Sequence, residues 1–244
     1  MTVPTYTERQ TIQFYSTNST KDMNLSALFN IILAVSEHQL HAAGIDSQQM
    51  VARGFGWVVT KYHLEVTRFP QLDEQIIITT TADSYNKFFC YRSFIVQDTA
   101  NNELLRLTSN WIMLRIQDRK MVSIDPEIMA QLGCPYSANI QRFPRLDIVE
   151  YPVEAKTYRT RFFDIDVNGH VNNSIYLDWM LDALSMEFLR THQIATLDIK
   201  YDREVQYGDI VQSKCLLDDN ISHHQIESNT GANAQAQIKW QDRK

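Results

Sequence analysis

Two periodicities alternate along this chain, and they do so twice in the same order. Residues 6–16 mix Thr, Tyr, Gln, Ile and Phe in a strand-like alternation. From Leu25 onward Leu28, Phe29, Ile32, Leu33, Ser36 and Leu40 fall at helical spacing, and the run ends near Gly44. Strand-like segments follow at 56–66, 74–83, 88–98 and 103–117, with the clearest hairpin turn at 98–102. In the second half, residues 156–163 read as a strand and 174–190 as a helix. That helix carries Tyr176, Trp179, Met180, Ala183, Leu184 and Phe188 on its apolar side, with Asp178, Asp182 and Ser185 off it. Strands are then predicted at 196–206, 209–217, 223–228 and 232–241.

The parallel reaches individual residues. Phe14-Tyr15 precedes the first helix as Phe162-Phe163 precedes the second, and Ser26 aligns with Ser174 at an offset of 148. Lys61-Tyr62-His63-Leu64-Glu65-Val66 matches Lys200-Tyr201-Asp202-Arg203-Glu204-Val205, and each half closes on Gln-Asp-Arg-Lys, at 117–120 and 241–244. Several such matches in one order indicate an internal repeat. On the 148 offset, Asn18, Thr20 and Asp22 stand where the second copy has Asp166, Asn168 and His170. Between the copies, residues 125–155 hold Pro126, Pro135, Pro144 and Pro152. Asp125-Pro126-Glu127 opens a short helix to about Leu132, and the rest reads as extended. The expected organisation is a first unit over 1–124, a link over 125–155 and a second unit over 156–244.

Composition narrows the functions open to such a chain. With 244 residues, 44% apolar and 21% charged, it can bury a substantial core. A net charge of −6 without a basic block argues against nucleic acid, while leaving room for a local basic patch facing an acidic protein. Cys90, Cys134 and Cys215 are far apart and lack CxxC spacing, which predicts reduced thiols and neither a disulfide framework nor a zinc site. Residues 1–9 lack the apolar core of a signal peptide. The apolar run 29–35 contains Asn30 and is too short to cross a bilayer. A cytoplasmic protein without membrane insertion is expected.

The densest chemistry lies at 161–174. Asp166, Asn168 and His170 are two residues apart, so an extended segment would turn all three to one side. A carboxylate, an amide and an imidazole there could orient a water or a nucleophile and stabilise developing charge. The same stretch also reads as a turn and a cap. Asn168-Gly169 favours positive φ, and Asn172 or Asn173 can accept from first-turn N–H groups. His38 and His41 have helical spacing but no third ligand, and His223-His224 would point to opposite faces of a strand, so no metal site is predicted.

At these residues the chain resembles the acyl-acyl carrier protein thioesterases of plant plastids and bacteria. The likeness is carried by Asp164-Ile165-Asp166-Val167-Asn168-Gly169-His170-Val171-Asn172-Asn173 with Tyr176-Leu177-Asp178-Trp179-Met180-Leu181. It continues in Tyr201-Asp202-Arg203-Glu204-Val205, and in Asn110-Trp111-Ile112-Met113 running into Arg119-Lys120. It covers nearly the whole chain. The fold it implies is an α+β double hotdog, two tandem helix-plus-antiparallel-sheet units packed together. The activity it implies is hydrolysis of fatty acyl-acyl carrier protein, releasing free fatty acid and ending chain growth, without cofactor or metal. By the resemblance Asp166, Asn168 and His170 fall on catalytic positions, and Glu204 on the catalytic glutamate. Many plant members carry a cysteine directly after that glutamate. Here the position is Val205, so activated water is expected in place of a cysteine nucleophile.

In that scheme Glu204 and His170 deprotonate the water, Asn168 orients it or the thioester, and Asp166 orients these side chains. N–H groups at the start of the 174–190 helix would receive the oxyanion. Direct attack by Asp166, forming an anhydride, is the competing route. Taken by itself, Glu204 reads as a surface strand carboxylate beside Arg203 or Lys200, with Glu65 as its counterpart in the repeat. The first unit would line the acyl chain through Leu28, Phe29 and Ile32. Arg142, Arg145, Lys156, Arg159 and Arg161, the densest positive group, would dock the acidic carrier protein. An acyl-coenzyme A thioesterase of the same fold and a non-catalytic acyl-thioester binding module are the rival expectations. A monomer and a homodimer are both compatible with two fused units.

Overall fold

In the computed structural model, which describes residues 3–243, the alternation of residues 6–16 becomes strand β1 (Thr5–Thr11), followed by a 3-10 turn at Phe14–Ser16. Helix α1 (Leu25–Ala42) buries Leu25, Leu28, Phe29, Ile32, Val35 and Leu40, the spacing the sequence predicts. A short helix that periodicity misses, α2 (Ser47–Ala52), starts where the Asp46 carboxylate accepts from the N–H groups of Gln48 and Gln49. The first unit continues with β2 (Phe55–Val66), β3 (Gln75–Tyr85), β4 (Cys90–Asp98), β5 (Glu103–Arg115) and β6 (Lys120–Val122). Helix α3 (Pro126–Gln131) is capped by Asp125 with Pro126 at its first position, as expected. The second unit has β7 (Lys156–Arg159), a 3-10 turn at Phe162–Asp164, α4 (Asn173–Asp182), α5 (Met186–Thr191) and β8 (His192–Tyr201). It closes with β9 (Ile210–Asp218), β10 (Ile221–Ser228) and β11 (Gly231–Asp242).

Several predicted elements change. The strand expected over 156–163 ends at Arg159 and the alternation over 6–16 is strand only to Thr11, each giving way to a 3-10 turn. The helix over 174–190 is two helices, because Ser185 accepts from the Phe188 N–H and so caps a new start at α5. The strand over 196–206 stops at Tyr201. The N–H groups of Asp202 and Arg203 both turn to the Asn233 carbonyl, at 2.8 and 3.1 Å, which takes them out of the ladder.

The strands form one antiparallel sheet in the order β1-β3-β4-β5-β2-β8-β11-β10-β9-β7, with β6 added on β5. From its outer edge inward, each unit runs first strand, third, fourth, fifth, second. The units join through β2 and β8, where Lys61 lies opposite Lys200 and Tyr62 opposite Ile199. The Thr67 and Arg68 N–H groups donate to the Leu104 carbonyl as those of Asp202 and Arg203 donate to Asn233, so β2 and β8 correspond at an offset of 135. That is four residues from the sequence match of Lys61 with Lys200, and the pseudo-two-fold axis passes between His63 and Asp198. Helices α1 and α4 lie against each other, α1 on β1 and β3, α4 on β9 and β10. Their buried faces share one core with Leu64, Phe94, Leu107, Leu197, Ile199 and Ile238. Phe29 meets the Tyr62 ring edge-on at 4.9 Å, and Tyr62 meets Tyr201 across the joint at 6.2 Å. This is the expected double hotdog. On the opposite sheet face, residues 138–155 run without helix or strand. There Phe143 stacks on Tyr91, and Gln237 exchanges hydrogen bonds with the Asp147 backbone and carboxylate.

Candidate active site

Between the second 3-10 turn and α4 the chain makes a tight reversal, closed by a bridge from Ile165 to Val171. The Asp166 N–H donates to the His170 carbonyl at 2.9 Å, and the Gly169 N–H donates to the Asp166 carbonyl at 3.0 Å. Gly169 has φ +85°, which an L side chain rarely adopts. The Asp166 carboxylate accepts from the Asn168 N–H at 2.8 Å and faces the Asn168 amide at 3.4 Å. The segment is therefore a turn and not the expected extended stretch. Val167 and Asn168 stand exposed at the tip, Asp166 is half-buried, and His170 folds inward. Asn172 then caps α4 by accepting from the Ser174 N–H at 2.9 Å.

The structure brings His170 and Glu204 together, with Nε2 3.2 Å from Oε2. The other carboxylate oxygen, Oε1, is in contact with the Arg119 guanidinium. Glu204 lies in the loop from β8 to β9, and that loop is tied down on both sides of it. The Val171 N–H donates to the Val205 carbonyl at 3.0 Å, and the Val205 N–H donates to the Tyr176 hydroxyl at 3.0 Å. The fully buried Asn233 donates to the Glu204 carbonyl at 3.4 Å. Burial, and next the Arg119 charge, hold the His170 imidazole below its ordinary value, against an upward pull from Asp166. A neutral ring facing a carboxylate donates through Nε2, which leaves Nδ1 as its acceptor nitrogen. Arg119, Tyr176 and Asn233 are absent from the residues singled out by sequence chemistry. Arg119 appeared only in the Gln-Asp-Arg-Lys match and the family resemblance, Tyr176 only as an apolar helix position and part of that resemblance, and Asn233 only within a predicted strand.

The first copy builds the same turn without the same chemistry. Thr17 bridges Met23, the Asn18 N–H donates to the Asp22 carbonyl, and the Asn18 side chain accepts from the Thr20 N–H at 2.9 Å. The side chain in the His170 position is Asp22, buried and bonded to Arg243 and Gln71. Glu65, however, is not the structural counterpart of Glu204. It stays in β2 opposite Thr196, largely exposed, whereas Glu204 lies beyond the end of β8. The Met23 N–H donates to Pro70 as the Val171 N–H does to Val205, so the place of Glu204 is taken by Phe69. The loops after β2 and β8 are equally long, and the sequence match of 61–66 with 200–205 lies four residues out of the structural register.

Other expected residues fall elsewhere. Leu28, Phe29 and Ile32 are fully enclosed in the core. They line neither the cavity of about 630 Å³ under residues 143–151 nor the one of about 870 Å³ bounded by Met50, Phe55, Met113, Met121, Val122 and Ile128. Lys156 pairs with Asp182 at 3.0 Å and Arg161 with Asp164 at 2.7 Å, so the predicted basic group is already partly neutralised. At the start of α4 the Ser174 and Ile175 N–H groups are both taken by Asn172, which limits that helix end as an oxyanion site. Cys90 and Cys134 are buried in a separate cluster between the first unit and the start of the link, with Met113 and Met129. Burial pushes the Cys215 thiol up to about 11. No thiol bonds to His170 or Glu204 among the described residues.

Fold and turn together define a tandem hotdog protein with an imidazole–carboxylate pair at one of its two equivalent turns. Residues 4–132 match the acyl-ACP thioesterase N-terminal domain and residues 150–242 the acyl-ACP thioesterase C-terminal domain, and the chain belongs to that family. A Lactobacillus plantarum crystal structure described as an oleoyl thioesterase superposes with a TM-score of 0.95, at 33% identity over 99% of this chain and 98% of that one. The 12:0-ACP thioesterase of Umbellularia californica shares the fold, with a TM-score of 0.84 at 19% identity over 98% of each chain. The chloroplastic oleoyl-acyl carrier protein thioesterase of Coriandrum sativum is 25% identical over 227 residues, 85% of this chain and 61% of the relative. The chain thus spans about three fifths of that relative's length. Among the described residues, no helix is long and apolar enough to cross a membrane.

Proposed function

We propose that this protein hydrolyses the thioester of fatty acyl-acyl carrier protein, releasing free fatty acid and the carrier thiol. The observation that carries the reading is the His170–Glu204 pair, present at one of two otherwise matching turns in a chain of this family. Neutral His170 takes a proton from water through Nδ1 while Nε2 keeps its own proton toward Glu204. The resulting hydroxide adds to the thioester carbonyl. Collapse of the tetrahedral intermediate expels the thiolate, which recovers the proton from His170. Asp166 shapes the turn and supplies charge beside the ring, and Asn168 at the exposed tip meets the incoming thioester. In the competing route Asp166 attacks directly and forms an anhydride. Oxygen-18 from labelled water, found in Asp166 after a single turnover, would select that route.

The reading assigns residues 1–124 to the acyl chain, 125–155 to the link and 156–244 to catalysis. It places the enzyme in the cytoplasm, without cofactor, as a monomer or homodimer. Leu28, Phe29 and Ile32 would bound the chain only if the core around them opens. An unchanged chain-length profile in Phe29→Ala removes them from that role. Arg142, Arg145 and Arg159 are the members of the basic group left to meet the acidic carrier. The deciding experiment follows thiol release from acyl-acyl carrier proteins of about C8 to C18 and from the matching coenzyme A esters. Release should be faster from the carrier esters and should fall by about 100-fold or more in His170→Ala. Preference for coenzyme A esters would replace the substrate, and binding without release would replace the enzyme by an acyl-binding module.

A further inference from the structure

We infer that Arg119, carried by the β5–β6 hairpin of the first unit, is the positioning residue that holds Glu204 against His170 in the second. The inference rests on the catalytic reading of that pair and extends it across the joint between the units.

Three observations carry it. Arg119 contacts Oε1 of Glu204 while His170 meets Oε2, so the guanidinium fixes which oxygen faces the imidazole. Arg119 also has φ +55°, a left-handed conformation for which glycine is the undemanding residue, in a hairpin closed by the pairing of Arg115 with Lys120. A side chain kept at such a position points to a use for its guanidinium. Finally, Arg243 of the second Gln-Asp-Arg-Lys, which follows β11 and is not the structural counterpart of Arg119, reaches into the first unit to contact Asp22, the residue in the His170 position. Each unit therefore lends an arginine to the turn of the other, and at the second turn the recipient is the pair proposed to do chemistry.

The charges around His170 give the inference its sign. The ring faces Asp166 from its own turn, Glu204 from the β8–β9 loop and Arg119 from the hairpin, with the buried Tyr176 hydroxyl of α4 behind the Glu204 loop. Glu204 without Arg119 would favour the imidazolium, which cannot act as a base. Arg119 therefore orients the carboxylate and adds to burial in holding the ring below its ordinary value.

The test compares wild-type protein with Arg119→Gly and Arg119→Gln, reading thiol release against pH and the His170 ring titration by NMR. Glycine suits the backbone at this position, so Arg119→Gly should keep the wild-type thermal midpoint. In both variants kcat should drop with KM little changed. The acid limb and the ring titration should move up by about one pH unit. That makes about a tenfold loss below the limb. Arg119→Lys should restore part of the shift. An unmoved limb and ring titration in both variants overturns the inference, and if the glycine variant fails to fold, the glutamine variant decides. Should wild-type protein show no His170-dependent release, the catalytic reading fails, and the NMR titration still tests whether Arg119 governs the ring.

Discussion

Asp166 and Asn18 do the same structural work in their two turns, each accepting from the N–H two residues on. An amide side chain suffices for that, so the negative charge of Asp166 is surplus to the turn. Asp166→Asn should keep stability within about 0.5 kcal/mol, measured by urea unfolding. Activity should fall by about 100-fold. Because Asp166 pulls the His170 ring upward, its removal should also shift the residual acid limb down, opposite to the shift on losing Arg119. Undiminished activity would leave Asp166 as a turn residue only. At this scale the turn was legible, since Asn168-Gly169 and Asn172 are local signals. The extended backbone assumed for Asp166, Asn168 and His170 was not found, because Gly169 bends the chain into a turn. Arg119 was illegible as a partner, since its meeting with Glu204 depends on how two distant hairpins come together.

Helix α4 does more than fill the core, for it holds the loop that carries Glu204. The Tyr176 hydroxyl accepts from the buried Val205 N–H, and the Tyr201 hydroxyl donates to the Asn173 carbonyl at 3.0 Å. Tyr176→Phe leaves that N–H without an acceptor, which should cost about 1–3 kcal/mol in urea unfolding. It should also lower kcat more than it raises KM, because Glu204 would no longer be fixed opposite His170. A variant with normal kcat would show that the loop is held by its neighbours alone. The periodicity located α4 and the strands well, as their buried faces repeat locally. It ran through the break at Ser185 because the apolar side continues across it, with Ala183 and Leu184 before the cap and Phe188 after. It missed α2 because six residues contain too little of a helical repeat.

Across the whole molecule, the joint between the units is itself pH-sensitive. His63 of β2 faces Asp198 of β8 at 2.7 Å, and that hydrogen bond raises the His63 pKa. A raised histidine contributes its stability fully below the unfolded value, about 6.5, and loses it as pH rises through the folded one. Asp198→Asn should therefore destabilise more at pH 6 than at pH 9, with a difference of up to about 1 kcal/mol in paired urea titrations. Equal losses at both pH values would mean that the ring is neutral throughout. The repeat itself was legible in short matched segments. How the copies meet was not, because strand pairing between β2 and β8 leaves no local pattern, and the match of Glu65 with Glu204 fails because the similar segments 61–66 and 200–205 lie four residues out of structural register. The pseudo-two-fold joint has an evolutionary consequence. In a dimer of identical chains every substitution occurs twice, so both turns must drift together. A tandem chain releases them from that identity. One turn can then specialise for turnover while the other becomes a structural latch, with Asp22 clasped by Arg243 and Phe69 filling the place of the absent carboxylate.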